Sequence, residues 1–148
     1  MIDLPHELTS GDYAGAGDSH DQQLTRLNRQ AIAFAAGIVE EFAIPEGYFQ
    51  RAGKINGAAS DAGVAANESY ARHLRDLGEA HERLDARAMR EITGSAYYRD
   101  GLYTPGTVMI QPAGYVQGLA AGIERGGVTI HENSAALRIE STGQGWTV

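Results

Sequence analysis

The sequence predicts an α+β fold in which helices pack on a mixed sheet, and three observations carry that prediction. Apolar residues recur at helical spacing over 24–42 and again over 116–123, the stripes of two amphipathic helices. Short alternating runs at 128–131 and 137–140 have the period of half-buried strands. Residues 107–148 then read strand, helix, strand, strand, turn, strand, and a helix that feeds a strand implies a sheet with helices against it.

The elements follow in chain order. Residues 1–18 are polar, with Gly11, Gly15 and Gly17 among Asp12, Tyr13 and Asp18. Gly15-Ala16-Gly17 is spelled like a dinucleotide loop, but no strand precedes it and His20 stands at the third glycine position, so it reads as a flexible leading loop. Ser19 and Gln22 have capping-box spacing and start a long helix. Its stripe is Leu24, Leu27, Ala31, Phe34, Ala35, Ile38 and Phe42, and Pro45 stops it. Burying that stripe is worth about 1.5–3 kcal/mol per large side chain.

Tyr48-Phe49-Gln50 and Lys54-Ile55-Asn56 read as extended, broken or bulged at Gly53 and Gly57. Asp61 caps a second helix with Val64, Ala71, Leu74 and Leu77 as its apolar positions, closed by Gly78. Asp85 caps a third helix through Ile92, closed by Gly94. In Tyr97-Tyr98-Arg99-Asp100-Gly101-Leu102-Tyr103, Asp-Gly between aromatic and apolar residues predicts a tight hairpin turn. Pro105-Gly106 turns the chain into a strand at Val108. Pro112 suits the first position of a helix carrying Val116, Leu119, Ala120 and Ile123, and Gly126-Gly127 suits its end. Strands are expected at Val128–His131 and at 137–140, with a turn over 141–145 and an extended Trp146-Thr147-Val148.

Composition limits the function classes. A chain of 148 residues holds one ordinary core, and a net charge of -7 argues against a nucleic-acid partner. There is no cysteine, hence no disulfide or thiolate chemistry, and no apolar run long enough to span a membrane. The start lacks the basic region of a signal peptide, and a cytoplasmic location is expected. The chain ends at Val148 inside an extended pattern, which predicts a piece of a longer protein with strand edges open to self-association.

No residue announces catalysis. His6, His20, His73, His81 and His131 show no metal-ligand spacing, so no metal site is expected and most read as solvent-exposed. No nucleophile elbow is present. Glu40, Glu41, Glu79, Glu82 and Asp85 fall on polar faces or at caps. Tyr97, Tyr98 and Tyr103 fit either the wall of a substrate cavity or cross-strand pairs in the hairpin, and the pairs are preferred. Lys54 reads as a solvent-facing strand residue.

The wording of the last third goes further than its pattern. Gly101-Leu102-Tyr103, Gln111-Pro112, Tyr115-Val116-Gln117-Gly118-Leu119-Ala120, Gly127-Val128-Thr129-Ile130-His131-Glu132 and Gly145-Trp146-Thr147-Val148, in that order and spacing, resemble the middle of FAD-dependent amine and amino-acid oxidoreductases. These are flavoproteins of the D-amino-acid oxidase, glycine oxidase and sarcosine oxidase type. The resemblance covers most of the chain and implies a fragment of an α/β FAD-binding fold with an inserted substrate-binding region. On it, residues 1–106 belong to the substrate-binding region and 107–148 to the returning part of the FAD-binding domain.

The resemblance also implies FAD as cofactor and a small-molecule amine or amino acid as substrate. The flavin takes a hydride equivalent from the C–H beside the amine, and the resulting imine hydrolyses; the protein positions the partners. It places Ala136 where a main-chain contact to the adenine is made, usually at a Val, and Met1 close to the flavin. The phosphate-binding glycine loop would lie upstream, and the substrate-gripping residues downstream, so the catalytic residues are unknown and the fragment is expected to be inactive and to hold FAD poorly. The alternative is a cofactor-free α+β binding or dimerisation module.

Overall fold

The computed structural model describes residues 1–4 and 18–148, so the Gly15-Ala16-Gly17 loop and the Pro5-His6 stretch lie outside the described residues. Helix α1 spans Asp18–Glu41, which puts Ser19 just inside the helix rather than at its cap. Ala43 adopts a left-handed φ of 51° and Ile44 N–H donates back to Val39 O at 3.0 Å, a helix stop of the Schellman type. Pro45 follows, leading through a single 3-10 turn at Glu46–Tyr48 into strand β1, Phe49–Gln50.

The buried side of α1 shares only Ala35 with the expected stripe. Thr25, Ile32 and Ala35 face inward, and Ile32 and Ala35 form a core with Phe49 and Val108 against which Ala36, Val39, Ile110 and Tyr115 pack. Leu27 and Phe34 are 51% and 73% exposed. The inward face is thus turned by about one residue, roughly 100°. The helix carries two apolar faces, and the one that packs here is lined by small residues that admit a neighbour closely.

Strand β2 (Lys54–Ala58), helix α2 (Asp61–Asp76), strand β3 (Glu82–Asp85), helix α3 (Ala86–Thr93) and strand β4 (Asp100–Thr104) form the second half of the packing. β4 lies between β2 and β3, antiparallel to both. Ser60, not Asp61, caps α2 through Gly63 N–H at 3.2 Å. Asp85 caps α3 through Ala88 N–H at 2.8 Å and Gly94 closes it with a left-handed φ of 71°, as expected. α2 buries Asn67, Tyr70, Ala71 and Leu74, three of which join Leu4 and Leu102 in a core.

The expected hairpin turn at Asp100-Gly101 does not form. Both residues lie inside β4, paired with Ala58 and Gly57 on one side and with Asp85 and Leu84 on the other. Gly101 is not among the positive-φ glycines. It is needed for space: a Cβ there would stand 2.3 Å from Met89 Sδ. Asp100 is tolerated in the strand because its carboxylate is satisfied. Asn67 Nδ2 donates to Oδ2 at 2.9 Å, and Arg83 donates to Oδ1 from Nη2 at 2.6 Å and Nε at 3.2 Å. The tyrosines are not cross-strand pairs of a hairpin either. The rings of Tyr98 and Tyr103 cover Gly57 and Gly53, while Tyr97 meets Tyr98 edge-on at 5.2 Å.

Strand β5 (Met109–Ile110) pairs antiparallel with β1, and Met1 extends this edge, its main chain exchanging bonds with that of Val108 at 2.7 and 2.9 Å. Helix α4 spans Pro112–Arg125, with Pro112 at its first position as expected and Gln111 capping it through Gly114 N–H. Its contact face differs from the expected stripe: Val116 is 59% exposed. Gly114, Gly118 and Gly122, each four residues on, form a groove filled by Tyr48, Ile44 and Phe42; Cβ atoms there would lie 2.7, 2.9 and 2.1 Å from those side chains.

Beyond α4, Val128–His131 forms no ladder, contrary to expectation. An alternating stretch becomes a strand only beside a partner, and no described segment offers it one. Leu137 (94% exposed) and Ile139 also remain outside. The turn expected over 141–145 is present: β6 (Glu140–Ser141) and β7 (Trp146–Thr147) pair across it, closed by Thr142 N–H to Gly145 O at 3.0 Å.

Candidate functional site

The polar centre of the molecule lies where the N-terminal segment, α1, β2 and β4 converge. Pairing of Met1 with Val108 carries Asp3 inward, where it is 1% exposed. Thr107 Oγ1 donates to Asp3 Oδ1 at 3.1 Å, and Arg29 Nη2 approaches Oδ2 at 3.4 Å. A Cβ on Gly106 would stand 1.8 Å from Oδ2, so the Pro105-Gly106 turn is also what admits this carboxylate. Arg29 reaches from α1 to Glu79 as well, at 2.6 and 3.2 Å. That hydrogen bond raises the Arg29 pKa further, against partial burial, and Asp3 adds to it.

Lys54 opens β2 at the same place, its neighbour Gly53 donating N–H to Thr107 O at 2.9 Å. It is not solvent-facing as expected. Its Nζ is closed off from water with no hydrogen-bond partner among the described residues, and it lies 5.7 Å from the centroid of the Tyr70 ring. Burial lowers its pKa, with the Asp3 carboxylate opposing the shift. Thr104, its partner in the ladder, has a fully buried Oγ1 that also lacks a partner among the described residues. Asp3 and Thr104 went unnoticed as site candidates in the sequence, and Lys54 was set aside as solvent-facing. The one available signal was that Lys54 is the single lysine against eleven arginines.

The remaining candidates are dispersed. Ala136 is exposed and lines an open hollow of about 510 Å³ with His131, Ser134, Ala135, Leu137 and Val148. Met1 lies instead on the β5 edge, beside the Asp3 cluster. The two residues therefore line different surfaces. An open cleft of about 620 Å³ between the end of α1 and β1 is walled by Ala36, Val39 and Phe49 and rimmed by Glu40, Glu46 and Arg51. His73 is half-buried rather than exposed, its Nε2 2.9 Å from Asp21 Oδ2. Among the described residues no group of histidines and carboxylates is arranged to hold a metal.

Comparison with known proteins decides the family. The model of the FAD dependent oxidoreductase family known as DAO matches residues 5–148. The chain belongs to that family. FAD is accordingly the cofactor of the fold this chain contributes to. Among solved structures, glycine oxidase from Geobacillus kaustophilus superposes with a TM-score of 0.69 at 20% identity, over 83% of this chain and 35% of that one. L-proline dehydrogenase from P. horikoshii superposes with a TM-score of 0.54 at 12% identity, over 82% of this chain and 30% of that one. At these identities the likeness is one of fold, and the chain spans about a third of the length of either protein. The comparison with curated protein sequences found no match. Membership of a DAO fold bears out the α+β reading: helices against antiparallel strand pairs. Among the described residues no helix is long and apolar enough to cross a membrane.

Proposed function

We propose that this chain is the central portion of a flavin-dependent enzyme that oxidises the C–N bond of an amine or amino acid. The observation that carries the reading is the family match across residues 5–148; the superposition on glycine oxidase supports it. Bound FAD would supply the electron acceptor. The chain's own residues would supply surfaces: Ala136 a main-chain contact to the adenine from its apolar hollow, and Met1 a position near the flavin beside the Asp3 cluster. Residues 1–106 belong on this reading to the substrate-binding region and 107–148 to the FAD-binding domain, although contacts such as Thr107 with Asp3 and β1 with β5 tie the two together.

A chain covering 35% of glycine oxidase brings only part of such a site, so the 148 residues alone are inactive and bind FAD weakly. Segments without a ladder partner among the described residues, Val128–His131 above all, offer edges through which copies can associate. The protein works on small molecules in the cytoplasm, which cell fractionation checks. The deciding experiment is an absorbance spectrum of the protein purified from its natural reading frame. Flavin bands that bleach on adding an amine or amino acid support the reading. A colourless protein that takes up no added FAD refutes it.

A further inference from the structure

An ammonium enclosed in protein without an acceptor is costly, because it gives up its hydration and receives no hydrogen bond in return. Lys54 is such a group: its Nζ is enclosed and has no hydrogen-bond partner among the described residues. The nearby carboxylate does not pair with it, since Asp3 is engaged by Thr107 and Arg29, and Arg29 is further engaged by Glu79. The face of Tyr70 covers one side of the ammonium at 5.7 Å, which offsets part of the cost and leaves all three N–H donors unused. Directly across the ladder the Thr104 hydroxyl is buried and likewise without a partner among the described residues. Directly opposed residues of an antiparallel pair project from the same face. Two unused donors therefore share one face of the sheet, beside the N-terminal segment.

We propose that the Lys54 ammonium and the Thr104 hydroxyl form an anion subsite that takes the carboxylate of an amino-acid substrate. The inference rests on the oxidoreductase reading for the word substrate, and on the geometry alone for the carboxylate. It narrows the substrate class from amines in general to amines that carry a carboxylate. The anion supplies the acceptor that the ammonium lacks, and the four-carbon stem of the lysine, which is itself half-exposed, lets the head group meet it. The lowered pKa of Lys54, caused by its burial, agrees with an ammonium that lacks a hydrogen-bonded counter-charge.

Because Lys54 is the single lysine, the test is unambiguous. The 148-residue chain labelled with ¹³C-lysine gives one side-chain Cε signal, followed while acetate, glycine, methylamine or inorganic phosphate is added. Acetate and glycine are expected to shift it saturably and methylamine is not. Lys54→Met, shown to be folded by circular dichroism, is expected to weaken acetate binding, read by calorimetry, at least about tenfold, the weight of one charge-assisted hydrogen bond. Lys54→Arg is expected to retain part of it. A Lys54 signal indifferent to acetate overturns the proposal, as does acetate binding that survives in Lys54→Met. A signal that moves with phosphate and not with acetate overturns the assignment to a carboxylate. None of these readouts involves flavin, so a carboxylate response in the 148-residue chain, alongside a protein from the natural reading frame that takes up no FAD, would sink the enzymatic reading and leave the subsite standing.

Discussion

Replacing Gly101 by Ala separates the two accounts of the Asp-Gly pair. In a tight turn the glycine would be needed for its positive φ, and alanine would be costly whatever surrounded it. Inside β4 the backbone accepts alanine, and the obstacle is Met89, whose Sδ would lie 2.3 Å from the new Cβ. Met89 is 1% exposed and cannot swing into solvent, so overpacking should cost about 1–3 kcal/mol. For a chain of this size that lowers Tm by roughly 2–4 °C per kcal/mol. Met89→Ala alone should cost about 2–5 kcal/mol through the cavity it leaves. In the Met89→Ala background Gly101→Ala should become neutral, or stabilising by about 0.4–1 kcal/mol as the unfolded chain loses freedom. The double-mutant cycle, read by urea titration, should therefore show a coupling of at least about 1 kcal/mol. Equal costs of Gly101→Ala in both backgrounds would refute the packing argument and restore the turn.

The other predictions test packing and charge. Phe34→Ser on the outer face of α1 should change stability by no more than about 0.5 kcal/mol, and Ile32→Ala by about 2–5 kcal/mol; the reverse order in thermal melts of the 148-residue chain would mean that the helix is turned the other way. Asp100→Ala removes the acceptor shared by Asn67 and Arg83, and urea titration should show a loss of about 1–3 kcal/mol, chiefly from the buried amide because Arg83 is partly solvated. Lys54 gives a pH dependence. Its folded pKa lies below the unfolded value of 10.5, so the unfolded state holds more protons between the two and stability rises with pH across that window. Without an added anion, Lys54→Met should be at least as stable as the parent at neutral pH, with the difference shrinking as pH approaches the unfolded value. A difference that stays constant up to that pH would show that burial does not perturb the amine.

What the sequence revealed and what it concealed divide along the range of the interaction. Caps and stops are local, so Asp85, Gly94, Pro112 and the 141–145 turn could be read from neighbours alone. Faces are not local. On α1, Leu24, Leu27, Ala31, Phe34, Ala35, Ile38 and Phe42 make the more apolar stripe, yet of these only Ala35 is fully buried, together with Ile32 and with Ala36 packed beside them, because what settles the face is a close fit to Phe49 and Val108. On α4 the contact is made by glycines, which contribute no hydrophobicity to any periodicity and are invisible to a search for stripes. Asp100-Gly101 misled for a related reason: an Asp-Gly pair marks a turn only when nothing else explains it, and here Asn67 and Arg83 explain the acid and Met89 the glycine. Asn67 and Arg83 lie 33 and 17 residues from Asp100, and Met89 lies on a different element from Gly101, so none of them is a neighbour that a local reading would consult.

The two parts of the candidate site differ in the same way. Ala136 came from family wording alone, and an alanine carries no side-chain group that a reading of residue chemistry could single out. Asp3, Lys54 and Thr104 became visible only when the first residues of the chain paired beside Val108 and β2 paired with β4, contacts spanning up to 107 positions. Asp3 is buried with its acceptors used, whereas Lys54 and Thr104 are enclosed with donors to spare. Satisfied polar groups stabilise the place where they meet; unsatisfied ones cost stability unless something else completes them. That asymmetry, within one cluster, is why the carboxylate reads as scaffold and the ammonium as the group left for a ligand.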